Sequence, residues 1–421
     1  VMAEKLDVYF KNILAGYLYY NKGQLFFQYN EEYLRNKMNM PLSVSLPLLG
    51  DIYDDTVVRP FFEGLLPEEN IRIQIAKILQ TDSRNTFALL NKIGADCAGA
   101  ISVLPEESCI NNLAGPVYRY VNDDEAYTIL SSLKVRPLYI GEDDFRISGA
   151  GAQNKLIACM INNQLVLPLN GTPSTHIIKP NIEGYDHTVF NELFCMKLAK
   201  ACGLNVPECF IARIKDKSFY VVERYDRIKE NGFWTRIHQE DFCQILHVLP
   251  ENKYENDGGP NFASCFNLLN QIGVPATSKI AFLDLVIFNY LTGNGDAHAK
   301  NFSILYKNDI PELAPCYDLM CTAIMVPYYD TCKMAMKLGS SSYIMSRIRR
   351  ENFERLSDIS GYRADFILKR LDMLSSKILI KAKTLADELN SVSDTSSTIY
   401  AQIINIIEKH IRMVMKQENR F

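Results

Sequence analysis

GNGDAHAKN, residues 293–301, sits between two apolar runs, KIAFLDLVIFNYLT (279–292) and FSILY (302–306). The longer run is helical in period and so apolar that the protein must bury it. A loop joining two buried elements needs polarity for its backbone. It does not need Asp296, His298, Lys300 and Asn301 within six residues.

Composition narrows what that loop can serve. The chain has 421 residues, too many for one small core, so two lobes or two to three domains are expected. Apolar residues make up 48% and charged residues 22%, which excludes disordered and collagen-like chains. A net charge of -4 leaves no overall footprint for coating nucleic acid or an anionic membrane. The eleven cysteines include no C-x-x-C pair, and none lies at a zinc-finger interval from a histidine, so free buried thiols are expected. The opening VMAEKLDVYF lacks a basic segment followed by an apolar one. The longest apolar run carries Asp284 and Asn289 and is too short to span a bilayer, so the expectation is a cytoplasmic protein without membrane contact.

Strand-like and helical patterns divide the chain. LDVYF, AGYLYY, the turn NKG and QLFFQY (6–29) alternate like a meander. EENIRIQIAKIL (68–79), with Pro67 at its start, and TFALLNKIG (86–94) read as helices before AISVLP (100–105) returns to strand. From about residue 139 to 227 come short strands: DFRIS (144–148), LIACMI, QLVLPL, THIIKP and SFYVVERYD. Between the last two, NELFCMKLAKACGLNVP (191–207) reads as one amphipathic helix stopped by Gly203 and Pro207, with Cys195 and Cys202 on its apolar face. From Gln239 onward helices dominate, and SVSDTSS (391–397) is the one linker-like stretch. Strands first and helices second give an α+β, two-lobed body.

The spacing inside the loop then gains meaning. Asp296 precedes Asn301 by five positions, the interval of the Asp and Asn in a protein-kinase catalytic loop. In that chemistry the Asp accepts the proton of the attacking hydroxyl, while the Asn holds a Mg²⁺ that bridges the phosphates. A second metal-binding carboxylate should follow, and APCYDLM (314–320) supplies Asp318 beyond FSILY and a turn at Asn308 and Asp309. Singly, Asp296 reads as a capping residue and Asn301 as a loop tie. As a set they favour phosphoryl transfer. RISGAGAQNKL (146–156) places Gly149 and Gly151 where backbone N–H groups can face an anion, though a flexible hairpin turn reads as well. Lys179 ends the β-branched strand HIIKP as a phosphate-gripping lysine would, and Glu192 on the next helix is its expected partner; an edge-strand lysine and a first-turn glutamate are the plainer reading. FYVVERYDR (219–227) is a buried strand entering a charged run, either a hinge facing adenine or a solvated ion-pair cluster.

These blocks, in this order, resemble the HipA-type serine/threonine kinase toxins of bacterial toxin–antitoxin systems. The stretches that carry the likeness are RISGAGAQNKL, STHIIKP, GLNVP, VERYDR, HQEDFCQ, YENDGGP, GDAHAKNFSI and LAPCYDL. SVSLPL, FFEGLLPE and IGADCAGAISVLPE extend it toward the start, and the C-terminal helices match only in character.

The resemblance implies a bilobal protein-kinase-like fold, with an extra N-terminal mixed α/β subdomain (1–138), a kinase N-lobe core (139–238) and an all-helical C-terminal lobe (239–421). It implies ATP and Mg²⁺ as cosubstrate and cofactor and a protein hydroxyl as acceptor, with aminoacyl-tRNA synthetases as a candidate substrate class. Position by position, Asp296 resembles the catalytic base. His298, Ala299, Lys300 and Asn301 line the nucleotide and metal site, Tyr317 and Asp318 follow, and Asn301 and Asp318 are the metal ligands. Ala150, Gly151, Ala152, Gln153, Asn154 and Lys155 resemble the phosphate loop, Lys179 the phosphate lysine, and Glu223, Arg224 and Tyr225 the adenine hinge with Asp226 near the ribose. Ser148 matches a serine that such kinases phosphorylate on themselves. The implied partner is a helix-turn-helix antitoxin of HipB type, with DNA reached only through it. This chain departs from the pattern in Gly149, in Asn154 where an acidic residue can occur, and in the opening GNGD. Two alternatives stand beside this reading. D-x-H-x-x-N also resembles lipid-kinase loops, so a small-molecule or lipid phosphotransferase is one. A non-catalytic co-repressor is the other, although Asp296, Asn301, Asp318 and Lys179 are all present.

Overall fold

Pairs of residues with positive φ fold the strand-rich parts of the chain: Lys11 and Asn12, Lys22 and Gly23, Asn162 and Asn163, Asn231 and Gly232, Asn308 and Asp309. Two consecutive left-handed residues match the twist of the flanking strands, which is why such pairs close tight hairpins. The structure, a computed structural model, describes residues 4–106, 108, 115–141, 145–339, 342–392 and 398–415. The chain divides into two units: residues 1–180, 212–251 and 303–310 form one, and 181–211, 252–302 and 311–421 the other.

The first unit opens with strands β1 (Glu4–Phe10), β2 (Ile13–Asn21), β3 (Gln24–Tyr29) and β4 (Ile101–Pro105), ordered β3-β2-β1-β4. Its helices are α1 (Glu31–Arg35), α2 (Asp55–Gly64), α3 (Glu69–Ile78), α4 (Thr86–Ile93) and α5 (Asp123–Ser132). Helix α2 packs on β3 and α4 on β2 and β4, burying Val8, Leu18, Phe27, Phe61, Phe62 and Leu90 completely. Helix α2 does not stand out in the sequence because Pro60 lies inside it; Asp54 caps its start by accepting the Thr56 N–H at 2.9 Å. Pro67 lies one position before the N-cap Glu68 of α3.

A second sheet holds β5 (Val117–Tyr120), β6 (Leu156–Ile161), β7 (Gln164–Leu169), β8 (His176–Lys179), β9 (Cys209–Ile214) and β10 (Lys217–Glu223), in the order β5-β7-β6-β8-β10-β9. Ribbon β11 (Arg227–Glu230) and β12 (Phe233–Arg236) follows, then β13 (Gln239–Asp241), β14 (Ser303–Lys307) and β15 (Ile310–Leu313) in one small sheet. Residues 145–148 of DFRIS form no strand, and Asp144 lies outside the described residues. Phe145 and Ile147 are buried in alternation, but Ile147 makes only one bridge, to Asp96, and Arg146 turns its guanidinium to the Asn91 and Lys92 carbonyls at the end of α4.

The second unit carries α6 (Thr188–Cys202), while short α7 (Phe242–Ile245) belongs to the first. Then come α8 (Phe262–Ile272), α9 (Ala276–Thr292), α10 (Arg350–Glu354), α11 (Ser357–Ser360), α12 (Ala364–Val392) and α13 (Thr398–Val414). This unit is helical with one two-stranded addition, β16 (Lys333–Leu338) and β17 (Ser342–Ile344). The amphipathic reading of α6 is corrected: α12 and α13 pack on it and leave only Lys200 exposed. Its stop is as expected, Gly203 at φ 94° with the Leu204 N–H bonded to the Ala199 carbonyl. Helix α9 is buried along most of its length, and it accommodates Asp284 because Arg370 of α12 pairs with that carboxylate at 2.8 Å. Ten cysteines are free and buried among the described residues. Within SVSDTSS, Ser391 and Val392 end α12, and the remainder lies outside the described residues.

Candidate active site

Within the second unit, helix α9 stops at Gly293, with φ 73°. A Cβ there would come within 2.8 Å of Ile406 and 2.9 Å of Ala323, so the position requires glycine for space as well as for conformation. Gly295 is required too, since a Cβ would collide with the Lys333 carbonyl. Between them Asn294 donates to Asn289 Oδ1 at 2.9 Å and accepts the Asp296 N–H at 3.1 Å. The loop is therefore held from inside. Asp296 itself stands half exposed, with side-chain exposure of 51%.

Around Asp296 the contacts are specific. Its backbone carbonyl accepts the His298 N–H at 2.8 Å and Asn301 Nδ2 at 2.7 Å. The Asn301 amide nitrogen thus ties the loop, and its Oδ1 is the atom that could ligate a cation. His298 Nε2 lies 3.9 Å from Asp296 Oδ1, and the Tyr254 hydroxyl donates to that same carboxylate oxygen. Tyr254 and His298 meet edge to face, centroids 4.9 Å apart. Lys300 and Ala299 are buried, and the Lys300 carbonyl accepts the Tyr317 hydroxyl at 2.7 Å.

Asp318 adopts φ 55°, a left-handed backbone unusual for a residue with a Cβ. Two side chains fix the segment around it. Asn191, fully buried on α6, donates to the Cys321 carbonyl at 3.0 Å and accepts the Cys321 N–H at 2.9 Å. The Thr322 hydroxyl accepts the Gly295 N–H at 2.8 Å and donates to the Gly293 carbonyl at 3.3 Å. The Ala323 N–H also reaches the Gly293 carbonyl, at 3.0 Å. The loop of Asp296 and the loop of Asp318 are stitched together. Asn191 and Thr322 were not singled out in the sequence, and Asn191, one of several polar residues on α6, carries no local signal there.

Among the described residues no cluster of three or more His, Cys, Asp or Glu forms a metal cage. Asp318 and Asn301 offer hard oxygen donors. That donor set fits Mg²⁺, which binds through one or two protein oxygens together with substrate phosphates.

The glycine-rich segment belongs to the first unit. Gly151 has φ 101°, and a Cβ there would lie 2.8 Å from Lys155 Nζ. Lys155 donates to the Ala150 carbonyl, and the Gly151 carbonyl accepts the Glu68 N–H at 3.2 Å, so the loop curls around its own ammonium. Such a curl, with a positive centre and glycine backbone, fits an anion such as a phosphate. Ala152 and Gln153 continue the curl, and the buried Asn154 Oδ1 has no hydrogen-bond partner among the described residues. A Cβ at Gly149 would lie 2.4 Å from the terminal methyl of the Ile157 side chain. The hydroxyl of Ser148 is buried and donates to the Leu65 carbonyl at 2.5 Å. Lys179, also buried, closes β8 opposite Tyr220 of β10, with Nζ 5.9 Å from the tyrosine ring centroid. In the second unit Glu192 is buried on α6.

Beyond β10 the charged run is neither solvated nor turned outward. Arg224 and Asp226 pair at 2.8 Å inside a buried network with Asp96, Arg227 and Arg236. Asp96 takes Arg227 at 2.8 Å and Arg236 at 2.9 Å, while Asp226 also accepts the Gly99 N–H at 2.7 Å. Burial pushes the Asp96 carboxyl up, and the Arg227, Arg236 and Arg224 guanidiniums outweigh it and hold it well below the usual carboxylate range. Burial and the Arg224 charge pull Arg227 down to about 10. The side chains of Arg224 and Asp226 are both committed to ion pairs. The Tyr225 hydroxyl is likewise engaged, donating to Gln239. Glu223 ends β10 with its side chain exposed, and only the backbone of this segment can serve a base.

Residues 6–104 match the model of the HipA N-terminal domain, and residues 147–396 match that of the HipA-like C-terminal domain. A Sinorhizobium fredii protein described as a candidate kinase, Y4mE, is 40% identical over 397 residues, covering 92% of this chain and 93% of that protein. The serine/threonine-protein kinase toxin HipA of Shewanella oneidensis is 31% identical over 309 residues, 70% of each chain. A solved Shewanella oneidensis complex of HipA, HipB and operator DNA superposes with a TM-score of 0.83 at 26% identity, covering 97% of both chains. No helix among the described residues is long and apolar enough to cross a membrane.

Proposed function

We propose, since this chain belongs to the HipA family of serine/threonine-protein kinases, that it transfers the γ-phosphate of ATP to a serine or threonine hydroxyl of a protein. The observation that carries the proposal is the stitched pair of loops: Asp296 exposed on one, Asp318 on the other, with Thr322 bonded to Gly293 and Gly295 at the start of the first. Asp296 takes the proton of the acceptor hydroxyl as its oxygen bonds the γ-phosphorus and the β–γ bridge breaks toward ADP. Asn301 and Asp318 would hold Mg²⁺, which supplies charge neutralisation for the transferring group. The curl at 150–155 and Lys179 serve the phosphates, His298 and Lys300 border the base, and the backbone at Glu223, Arg224 and Tyr225 serves adenine. Labelled ATP, purified protein and host lysate test this directly. Labelled protein bands that vanish with Asp296→Asn support it, and bands that persist refute it.

Two regulatory assignments accompany this reading. Ser148 is an autophosphorylation site, and the structure defines what modification demands: the hydroxyl must leave the Leu65 carbonyl and its buried place. A phosphate carrying about -1.5 to -2 charge cannot return there, so the modified segment stays out of its anion-binding shape. Mass spectrometry after incubation with Mg²⁺ and ATP, with ATP titration of each form, decides it; an unmodified Ser148 refutes the assignment. The solved complex of HipA, HipB and operator DNA supports a HipB-type partner, and we propose that this partner is a helix-turn-helix protein through which DNA is reached. Co-purification with a HipB-type protein and operator DNA tests this, and the absence of a ternary complex counts against it.

A further inference from the structure

We infer that Tyr254 is the residue that holds the acceptor position in the absence of a substrate, so that it selects which hydroxyl reaches Asp296. The inference rests on Asp296 being the base. A kinase acceptor must donate a hydrogen bond to the base carboxylate before it reacts. In this structure one hydroxyl already does so, that of Tyr254, on Asp296 Oδ1. A tyrosine in this place is a phenol occupying the position of an alcohol.

The contact is built rather than incidental. Tyr254 leads a single turn, residues Glu255–Asp257, that ends at Gly258 with φ 87°. Its carbonyl accepts the Asp257 N–H at 3.0 Å and the Gly259 N–H at 2.9 Å. A Cβ at Gly259 would lie 2.7 Å from that carbonyl, so the chain is folded tightly against the residue. Glu255 anchors the turn by accepting the Lys337 N–H at 2.7 Å. The ring is steadied by His298 on one edge and by Lys253 Nζ, 5.6 Å from its centroid. Backbone, neighbours and hydroxyl all converge on one placement, with Tyr254 only half buried.

An acceptor that donates to Asp296 must displace this phenol. Water or a small alcohol gains too little from binding to do so, whereas a protein that contacts the surrounding surface can. The residue therefore suppresses futile hydrolysis of ATP and raises the threshold for acceptor entry. A hydrogen bond to a charged group is worth about tenfold or more in an equilibrium.

The test uses the full chain with Mg²⁺ and ATP, taking water and N-acetylserinamide as acceptors. Tyr254→Phe keeps the ring on His298 and removes only the hydroxyl. Expected are about tenfold faster ATP hydrolysis and a lower KM for N-acetylserinamide, with the KM for ATP and kcat for the serine amide unchanged. Hydrolysis equal to or slower than wild type overturns the inference, because a residue that merely orients the base would lower kcat. Phosphotyrosine at position 254 also overturns it, making Tyr254 an acceptor instead. Asp296→Asn separates the two levels: if it leaves turnover intact, the base assignment falls and this inference with it. If it is inactive while Tyr254→Phe matches wild type, this inference alone falls.

Discussion

Replacing Asn191 by leucine should disable the protein from a position that no substrate touches. Asn191 is fully buried, and both ends of its amide are used on the backbone of Cys321, at 3.0 and 2.9 Å. Leucine has nearly the same volume, so cavity and overpacking effects stay small. What is lost is the partner of two buried backbone groups at once. Each orphaned group costs about 1–3 kcal/mol, so the pair comes to about 2–6 kcal/mol. Against a total stability of about 5–15 kcal/mol, that leaves a folded but weakened protein. Cys321 follows Asp318 closely in the chain, so its freedom becomes freedom of the Asp318 segment. A displacement of that kind should lower ATP turnover by about tenfold to a hundredfold even where the variant is fully folded. Guanidinium unfolding and steady-state turnover at low temperature measure the two losses separately. A stability change below about 0.5 kcal/mol, the range of surface substitutions, would refute the clamp. A destabilised variant with normal turnover would show that the clamp holds α6 and not the site.

Asp296→Asn and Asp318→Asn should each lower phosphoryl transfer at least about a hundredfold while leaving circular dichroism unchanged, since one side chain is half exposed and both lie on loops; near-normal transfer by either removes that residue from the chemistry. Asp96→Ala should cost about 3–5 kcal/mol in chemical denaturation, because it leaves Arg227 and Arg236 buried without their carboxylate. Glu240 is pushed up to about 7 by burial, which outweighs hydrogen bonds from Ser43, Tyr306 and Val44, so the folded chain keeps a proton there that the unfolded chain releases near 4.5. Its contribution is present in full below 4.5 and is lost as pH rises to about 7, on the order of 3 kcal/mol, and Glu240→Gln should flatten that part of the stability profile; an unchanged slope between pH 5 and 7 disproves the shift.

The helices and hairpins were legible because each is written in local pattern. Helix α9 announces itself by an apolar run that ends in Gly293, and β6 with β7 by two short apolar stretches on either side of Asn162 and Asn163. The loop of Asp296 was legible for a different reason: four chemically capable side chains occupy a place where solubility would have needed fewer. Partnerships at long range left no such trace. DFRIS alternates like a strand, yet among the described residues its backbone bridges to Asp96 alone, and nothing in five residues can tell a sheet neighbour from a single bridge. The run ERYDR reads either as a hinge or as a solvated ion-pair cluster, and its burial was not legible because Asp96, which draws Arg227 and Arg236 inward, lies more than a hundred positions earlier. Helix α6 showed an apolar period, but the packing of α12 and α13 on it could not be read from that period.

Asn191, Thr322 and Asp96 share a physical trait that explains both their silence in the sequence and their weight in the structure. Each is a polar side chain whose partners are backbone atoms or buried charges far away in the chain. Such a residue has no periodicity to display, and its chemistry matches that of any capping or turn residue. The residue proposed as the base has the opposite character: Asp296 is exposed, on a loop that is held by its own hydrogen bonds and by others from outside it. That loop and the loop of Asp318 take their position from Thr322 on one side and Asn191 on the other. The division of labour follows from the demands on each group. A base must face solvent to meet its substrate, so it cannot also be the part that fixes the loop. Fixing therefore falls to buried amides and hydroxyls, and a change in them should read as a folding defect in denaturation and as a catalytic defect in turnover.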